Sequence, residues 1–412
     1  MRNTKSKKQN ASLFKDKYEQ KGITLIALVI TIIVMLILVG VTISMAINGG
    51  LFGYAKKAAK DTESQKQAEQ ELASGEVTVN GKDYASIDDY LNNKLKIPNY
   101  SDDLLDKTTG MLTKNAKYTS NEKTAIIPKG FAIVSDENGE KSIAKGLVIT
   151  DKVDSTGKSI GNEYVWVPVE NADGTLVRTE WSNNEPTGTI NENYTETLPD
   201  DLVNSVKAYK GFYIGRYEAG SEEPRTGAGK DNLTDVLTQK GLYPYSYVSQ
   251  ENAANQTAKM YTDKTKYGVV ATLPYGAMWD ETLRFVKDDD HNVTNSTKWG
   301  NYYNTTFKFT GKYCENPSAT EPTYTEETNK DKPENTEWLL TTGASERNKA
   351  KNIYDLAGNV FEWTQESKST SYRVFRGGSY YSYGGGPASI RNGIGPSITS
   401  FNLGFRPALY IK

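Results

Sequence analysis

The residues able to do chemistry in this 412-residue chain are few, and their scarcity excludes more than it suggests. There is one cysteine, Cys314, and one histidine, His291, which follows Asp288, Asp289 and Asp290. A Ser-His-Asp triad could be built only on His291, and no Gly-x-Ser-x-Gly elbow supports it; His291 reads as part of a solvated polar turn. No Gly-x-x-x-x-Gly-Lys phosphate loop occurs, and an iron site of the imidazole type would need several histidines. Cys314 has no internal disulfide partner and reads as a small buried hydrophobe. The carboxylates offer more. Asp355 and Glu362 flank Ala357-Gly358-Asn359-Val360, where glycine and asparagine tolerate positive φ, so a tight turn can aim carbonyls inward. Mixed carboxylate and carbonyl oxygens suit Ca²⁺; the alternative is a turn whose acids cap backbone amides. Catalysis by another pair among the 51 acidic residues stays open on spacing alone.

The second chemical signal is compositional. From Tyr380 to Asn402 the chain has no Lys, Glu, Gln, Met or Trp, and is built largely of Tyr, Ser, Gly, Ile and Asn. Tyr gives rigid amphipathic contact area at low entropic cost, while small polar residues adapt, so this is the composition of a recognition surface. The candidate ligand-binding residues are Tyr380, Tyr381, Ser382, Tyr383, Ser389, Ile390, Asn392, Ile394, Ser397, Ile398, Thr399, Ser400, Phe401 and Asn402.

The elements that would position these groups begin at the amino end. Residues 1–22 carry seven basic groups against two acidic, a net of +5, and Ile23 to Ile47 follow without a charge. A helix of this length spans roughly 37 Å, enough to cross a bilayer, and the positive-inside rule places the leader in the cytoplasm. The expectation is a single-pass membrane protein with its head outside. Leu51, Tyr54, Ala55, Ala58, Thr62, Gln65, Ala68 and Leu72 then recur at helical spacing, an amphipathic stalk ending near Gly75. Residues 77–123 read as a small connecting region, with a strand at Val77-Thr78-Val79 and a helix near Ile87 to Leu95. All six tryptophans lie after residue 160, which locates the main core. From Lys123 onward short apolar runs alternate with Gly, Asn, Asp and Pro clusters, favouring a loop-rich α+β domain over 124–412. The net charge after the leader is −7, without a basic face of the nucleic-acid-binding kind.

Three resemblances add to this reading. Lys21-Gly22-Ile23-Thr24-Leu25-Ile26-Ala27-Leu28-Val29 is similar to a type IV prepilin signal. It implies cleavage by a prepilin peptidase between Gly22 and Ile23 and contact with other pilin subunits, although Ala27 stands where pilins carry the Glu that aids assembly. Gly161-Asn162-Glu163-Tyr164-Val165-Trp166-Val167-Pro168-Val169, Gly211-Phe212-Tyr213-Ile214-Gly215-Arg216-Tyr217-Glu218, Asn352-Ile353-Tyr354-Asp355-Leu356-Ala357-Gly358-Asn359-Val360-Phe361-Glu362-Trp363 and Arg376-Gly377-Gly378-Ser379, with the closing Gly404-Phe405-Arg406, resemble the formylglycine-generating-enzyme family. The resemblance implies a C-type-lectin-like fold over roughly 124–412 and a structural calcium site at Asp355, Gly358, Val360 and Glu362, the middle two through backbone oxygens. It also implies that Trp363, Gly377, Gly378 and Phe405 are close-packed and that Arg376 and Arg406 form buried pairs. The family's catalysts bind copper through two cysteines after the Arg-Gly-Gly-Ser motif; Gly377 to Lys412 holds none, so no enzyme of that type is expected. Finally, 380–402 resembles the variable region of retroelement-diversified proteins on the same scaffold. Adenine mutagenesis of an Asn codon there yields Tyr, Ser, Ile, Thr, Gly, Phe, Asp or Arg, and never Lys, Glu, Gln, Met or Trp. Varied positions would include Tyr381, Ser382, Tyr383, Ser389, Ile390, Ile394, Ile398, Thr399 and Phe401, framed by Ser379 and Gly404-Phe405-Arg406.

Together these readings imply a membrane-anchored or pilus-associated surface protein whose non-catalytic head binds an extracellular protein or glycan. The alternatives are a surface enzyme of the same fold and a structural pilin subunit.

Overall fold

The computed structural model describes residues 97–412 apart from 136–138, 172 and 385, together with the backbone of two short strands, Val77–Val79 and Lys82–Tyr84, which pair antiparallel. Met1–Tyr90 and Leu91–Lys412 form two compact units, the first represented by that hairpin. The leader with its Gly22-Ile23 junction, the apolar run 23–47, the stalk and the segment 87–95 lie outside the described residues.

In the second unit a six-stranded antiparallel sheet runs in the spatial order Val269–Thr272, Ala408–Ile411, Gly211–Gly215, Glu163–Pro168, Val148–Thr150, Ala132–Ile133. Its central strands are apolar on both faces, and period-2 alternation deals their side chains to two separate cores. Val165, Val167, Phe212, Ile214, Ala408 and Tyr410 enter one, which also holds Trp279 and Trp299. Tyr164, Trp166, Tyr213, Leu409 and Ile411 enter the other, with Phe131 and Ile127. A slip of one residue in any of these strands would exchange the two sets, so register is strongly specified.

A second, five-stranded sheet carries Tyr194–Thr195, Phe361–Lys368, Tyr372–Arg376 and Asn392–Ile394 in that order, with Leu403–Gly404 joining Phe361–Lys368 in parallel. A three-stranded sheet is built on the hairpin Phe307–Cys314 and Thr325–Lys332. Three α-helices complete the described residues: α1 (Asp200–Tyr209), α2 (Gln250–Thr257) and α3 (Gly276–Val286). The acidic pair Asp200 and Asp201 opens α1, where the helix dipole favours negative charge, and Leu202 and Val206, one turn apart, bury into the first core.

Two expectations are corrected by this architecture. The described chain is mostly β, with three helices of 10, 8 and 11 residues, rather than α+β with a membrane-spanning helix. The single-pass membrane localisation finds no support in this architecture: no helix among the described residues is long and apolar enough to cross a membrane, and the apolar run 23–47 lies outside them. The physical reason for the β bias is local: apolar runs of four to six residues interrupted by Gly, Asn and Asp satisfy a strand but are too short for a stable helix.

Candidate functional site

The 380–402 segment is tied at both ends to enclosed residues. The Tyr380 N–H donates to the Asn359 carbonyl at 2.8 Å, and Ser379 Oγ contacts Ser382 Oγ at 3.1 Å and accepts from Asn402 Nδ2 at 3.4 Å. Gly378 has φ +79°, and a Cβ there would run into the Gly386 carbonyl, so this turn requires glycine. The start and end of the segment are thereby brought together. Tyr381 meets Phe401 edge-on at 5.5 Å between ring centroids, and Tyr383 lies 5.0 Å from Tyr303. Asn304 Oδ1 accepts from the Gly384 N–H at 3.0 Å, and Ser400 Oγ donates to Asn402 Oδ1 at 2.7 Å. Ser389 and Ile390 precede Asn392–Ile394, which pairs with Tyr372–Arg376 at the edge of the five-stranded sheet. Ser397, Ile398 and Thr399 follow in the loop that leads to Phe401.

Exposure sorts these residues. Tyr380 is fully enclosed, packed with Leu339 and Val360, and forms the floor under Phe401 instead of a contact surface. The other thirteen candidate ligand-binding residues are all at least partly exposed. Among the described residues six large hydrophobic side chains are exposed, and three of them, Tyr381, Tyr383 and Ile398, fall in this one segment. Tyr303 and Asn304 were not foreseen as part of it. Their own stretch, Asn301-Tyr302-Tyr303-Asn304, has the same aromatic and amide composition, which is the signal that could have found them.

Arg391 anchors the middle of the segment. Its guanidinium reaches Asp280 Oδ2 at 2.5 Å and Glu366 Oε2 at 3.0 Å and donates to the Thr179 carbonyl at 2.9 Å. Arg376, wholly buried, shares Asp280 at 2.8 Å. Asp280 comes from α3, whose first N–H groups, Gly276 and Ala277, are capped by Glu196 at 2.7 and 3.0 Å. Burial, and then the charge of Glu366, push the Glu196 carboxyl up to about 7 against the opposing pull of Arg178.

The turn at 355–362 is held around Arg406. Its Nε and Nη2 donate to the two oxygens of Glu362, both at 2.6 Å, and its remaining donors go to the Tyr354 and Gly215 carbonyls at 3.0 Å. Glu218 accepts from the Val360 N–H at 3.0 Å and from Asn359 Nδ2 at 2.6 Å. Asp355 accepts from the Gly343 N–H at 2.7 Å, and burial pushes its carboxyl up to about 6. Burial, with the charges of Asp355 and Glu362, raises Glu218 well above the ordinary glutamate range. Asp355 and Asn359 adopt the left-handed conformation that the turn demands, at φ 55° and 56°. As arranged, Asp355, Gly358, Val360 and Glu362 do not fit a calcium ion. Both oxygens of Glu362 are spent on a guanidinium, Asp355 accepts from the Gly343 N–H, and among the described residues no three acids, histidines or cysteines converge as a metal-binding group. The third carboxylate, Glu218, was not assigned a role in the sequence although it ends one of the motifs.

His291 is held between Asp288 Oδ1 at 2.7 Å and the Lys349 carbonyl at 3.1 Å, with its ring edge against Trp299. Cys314 is buried and free.

A β-rich domain with these buried arginine pairs and a tyrosine-rich terminal loop defines a class, and residues 206–411, half of the chain, match the family described as sulfatase-modifying factor enzyme 1-like domain. The chain belongs to that family. No curated protein matches it. Among solved structures, it is similar to Treponema denticola variable protein 1 at 18% identity, covering 61% of this chain and 96% of the other with a TM-score of 0.35. PvdO from Pseudomonas aeruginosa matches at 17% identity, covering 60% and 94%, with a TM-score of 0.33. A Major Tropism Determinant variant, U1, matches at 12% identity, covering 74% and 82%, with a TM-score of 0.27.

Proposed function

We propose that this domain is a non-catalytic ligand-binding module whose contact face is formed by residues 381–402, and that this face is diversified while its frame is kept. The observation that carries the reading is the division between frame and face. Ser379, Gly404, Phe405 and Arg406 are buried, whereas none of Tyr381, Ser382, Tyr383, Ser389, Ile390, Ile394, Ile398, Thr399 and Phe401 is. None of these positions is a buried core residue, although Ile394 and Phe401 pack against core clusters from outside, and clustered exposed aromatics are the side chains that carry binding energy at recognition surfaces. The non-catalytic part of the proposal rests on the absence of cysteine from Gly377 to Lys412 and on the engagement of the only histidine in structural hydrogen bonds.

The test is a pair of exposed substitutions, Tyr381→Ser with Tyr383→Ser, in the full chain probed against glycan and protein arrays. Ligands bound by the parent chain are expected to lose at least ~10-fold in affinity, about 1.4 kcal/mol, with the melting temperature unchanged. Retention of the parent's affinities would overturn the assignment of the face. Diversification is tested in DNA: a near-copy of the sequence encoding 380–402 beside a reverse transcriptase gene is the expected finding.

A further inference from the structure

A cavity that shares no residue with the 381–402 face is lined by Lys114, Lys129, Lys264 and Lys412 together with Tyr209 and Tyr267, and encloses about 470 Å³. That volume lies within the range of small-molecule sites, roughly 300 to 1,000 Å³. Its lining contains neither Asp nor Glu. The lysine ion pairs among the described residues are made by Lys240, Lys287, Lys308, Lys330 and Lys349, and none involves the four lysines of the cavity. In a chain whose net charge is −2, four lysine side chains lining one cavity with no Asp or Glu side chain in that lining are a local excess of positive charge.

The positions of these side chains are set by backbone. The Gly268 N–H donates to the Lys129 carbonyl at 3.0 Å, and the Lys412 N–H donates to the Gly268 carbonyl at 2.9 Å. The Lys129 N–H in turn donates to Asn115 Oδ1 at 2.8 Å, and a side chain at Gly268 would strike that same oxygen. Lys264, followed by burial, holds the Lys412 amine below the usual lysine range. Asp201, whose charge acts the other way on Lys412, is hydrogen-bonded to Tyr410 Oη at 2.7 Å. Like charges lining one cavity repel, and a bound counter-charge relieves that repulsion.

We propose that this cavity binds a ligand carrying two or more sulfate or phosphate groups. Lysine ammoniums are compact point charges with rotatable donors, suited to tetrahedral oxyanions at several separations. Arginine, the residue whose planar fork matches a carboxylate, is absent from the lining. Tyr209 and Tyr267 add hydroxyls and ring surface for the carrier of those groups.

The experiment is calorimetric titration of the full chain with two probes, inorganic pyrophosphate and a trisulfated disaccharide, at low and high sodium chloride, alongside the Lys264→Gln, Lys412→Gln double variant. Binding of at least one probe is expected, weakening several-fold as salt rises because the site is exposed and screened. The double variant is expected to lose at least ~10-fold in affinity while its unliganded melting temperature stays level or rises, since the repulsion is removed. The two probes separate the sources: tighter pyrophosphate binding assigns free or nucleotide-like phosphate, and tighter disaccharide binding assigns a sulfated sugar. Failure of both probes to bind at low salt, or an unchanged affinity in the well-folded double variant, overturns the proposal.

Discussion

At Arg406 a guanidinium without solvent exposure takes both oxygens of Glu362 and two backbone carbonyls, and faces Glu218 and Asp355 as further carboxylates. Replacing it by Met would leave three enclosed acids without their cation. Removing one partner of a buried pair typically costs 3 to 5 kcal/mol, so Arg406→Met is expected to lose about that much in denaturant unfolding. A loss under about 1 kcal/mol would show that the acids are neutral without it. This residue was expected as a buried-pair former from the resemblance that its Gly-Phe-Arg motif carries. Its partners were not. Glu362 lies 44 residues away and Glu218 much farther, and sequence spacing carries no information on which acid a distant arginine meets. For the same reason the pair Asp355 and Glu362 read as oxygen ligands around a turn, although the guanidinium occupies that role. Tyr380 shows the converse failure. It is the same residue type as the exposed tyrosines beside it, and the backbone hydrogen bond to Asn359 with packing against Leu339 and Val360 holds it inward.

Among the elements, α3 couples the core to the recognition segment. It buries Met278, Trp279, Leu283 and Val286 on one side and presents Asp280 to Arg376 and Arg391 on another. Arg391→Ala would leave Asp280 to Arg376, with Glu366 held by Arg178 and Arg376, and would unpin the strand Asn392–Ile394. The expected result is a destabilisation of about 3 kcal/mol, together with faster amide exchange in 389–394 than in the Ala408–Ile411 strand. Equal protection of the two strands would count against the pin. The strands themselves were the most legible elements. Glu163–Pro168 and Gly211–Gly215 read directly as short apolar runs between turn residues, and their alternation decides which core each side chain enters. The pairing order of the sheet, with Ala408–Ile411 between Val269–Thr272 and Gly211–Gly215, was not legible, because it joins segments almost 200 residues apart.

For the molecule as a whole, several enclosed acids set the response to pH. Burial raises Glu196 and Glu281 to about 7 and Asp355 to about 6. Each therefore holds more proton in the folded chain than in the unfolded one between its ordinary carboxylate value and its folded value, so stability falls as pH rises through this window. The melting temperature is expected to be higher at pH 5 than at pH 7, an interval below that in which Lys332, lowered to about 8 by burial, changes charge. Scanning calorimetry across that interval checks the sign, and a melting temperature that rises toward pH 7 would contradict it.

Ala408–Ile411 is an interior strand of the six-stranded sheet, yet it is translated after the whole of 380–402. A ribosome must finish the recognition loop before the residues that complete both cores emerge. A stop codon or frameshift arising within the loop removes Leu409, Tyr410 and Ile411 with it, and such a chain has no way to close its sheet. Folding thus acts as a reading-frame proof: missense changes on the exposed face pass, while truncations yield an unfolded chain exposed to proteolysis.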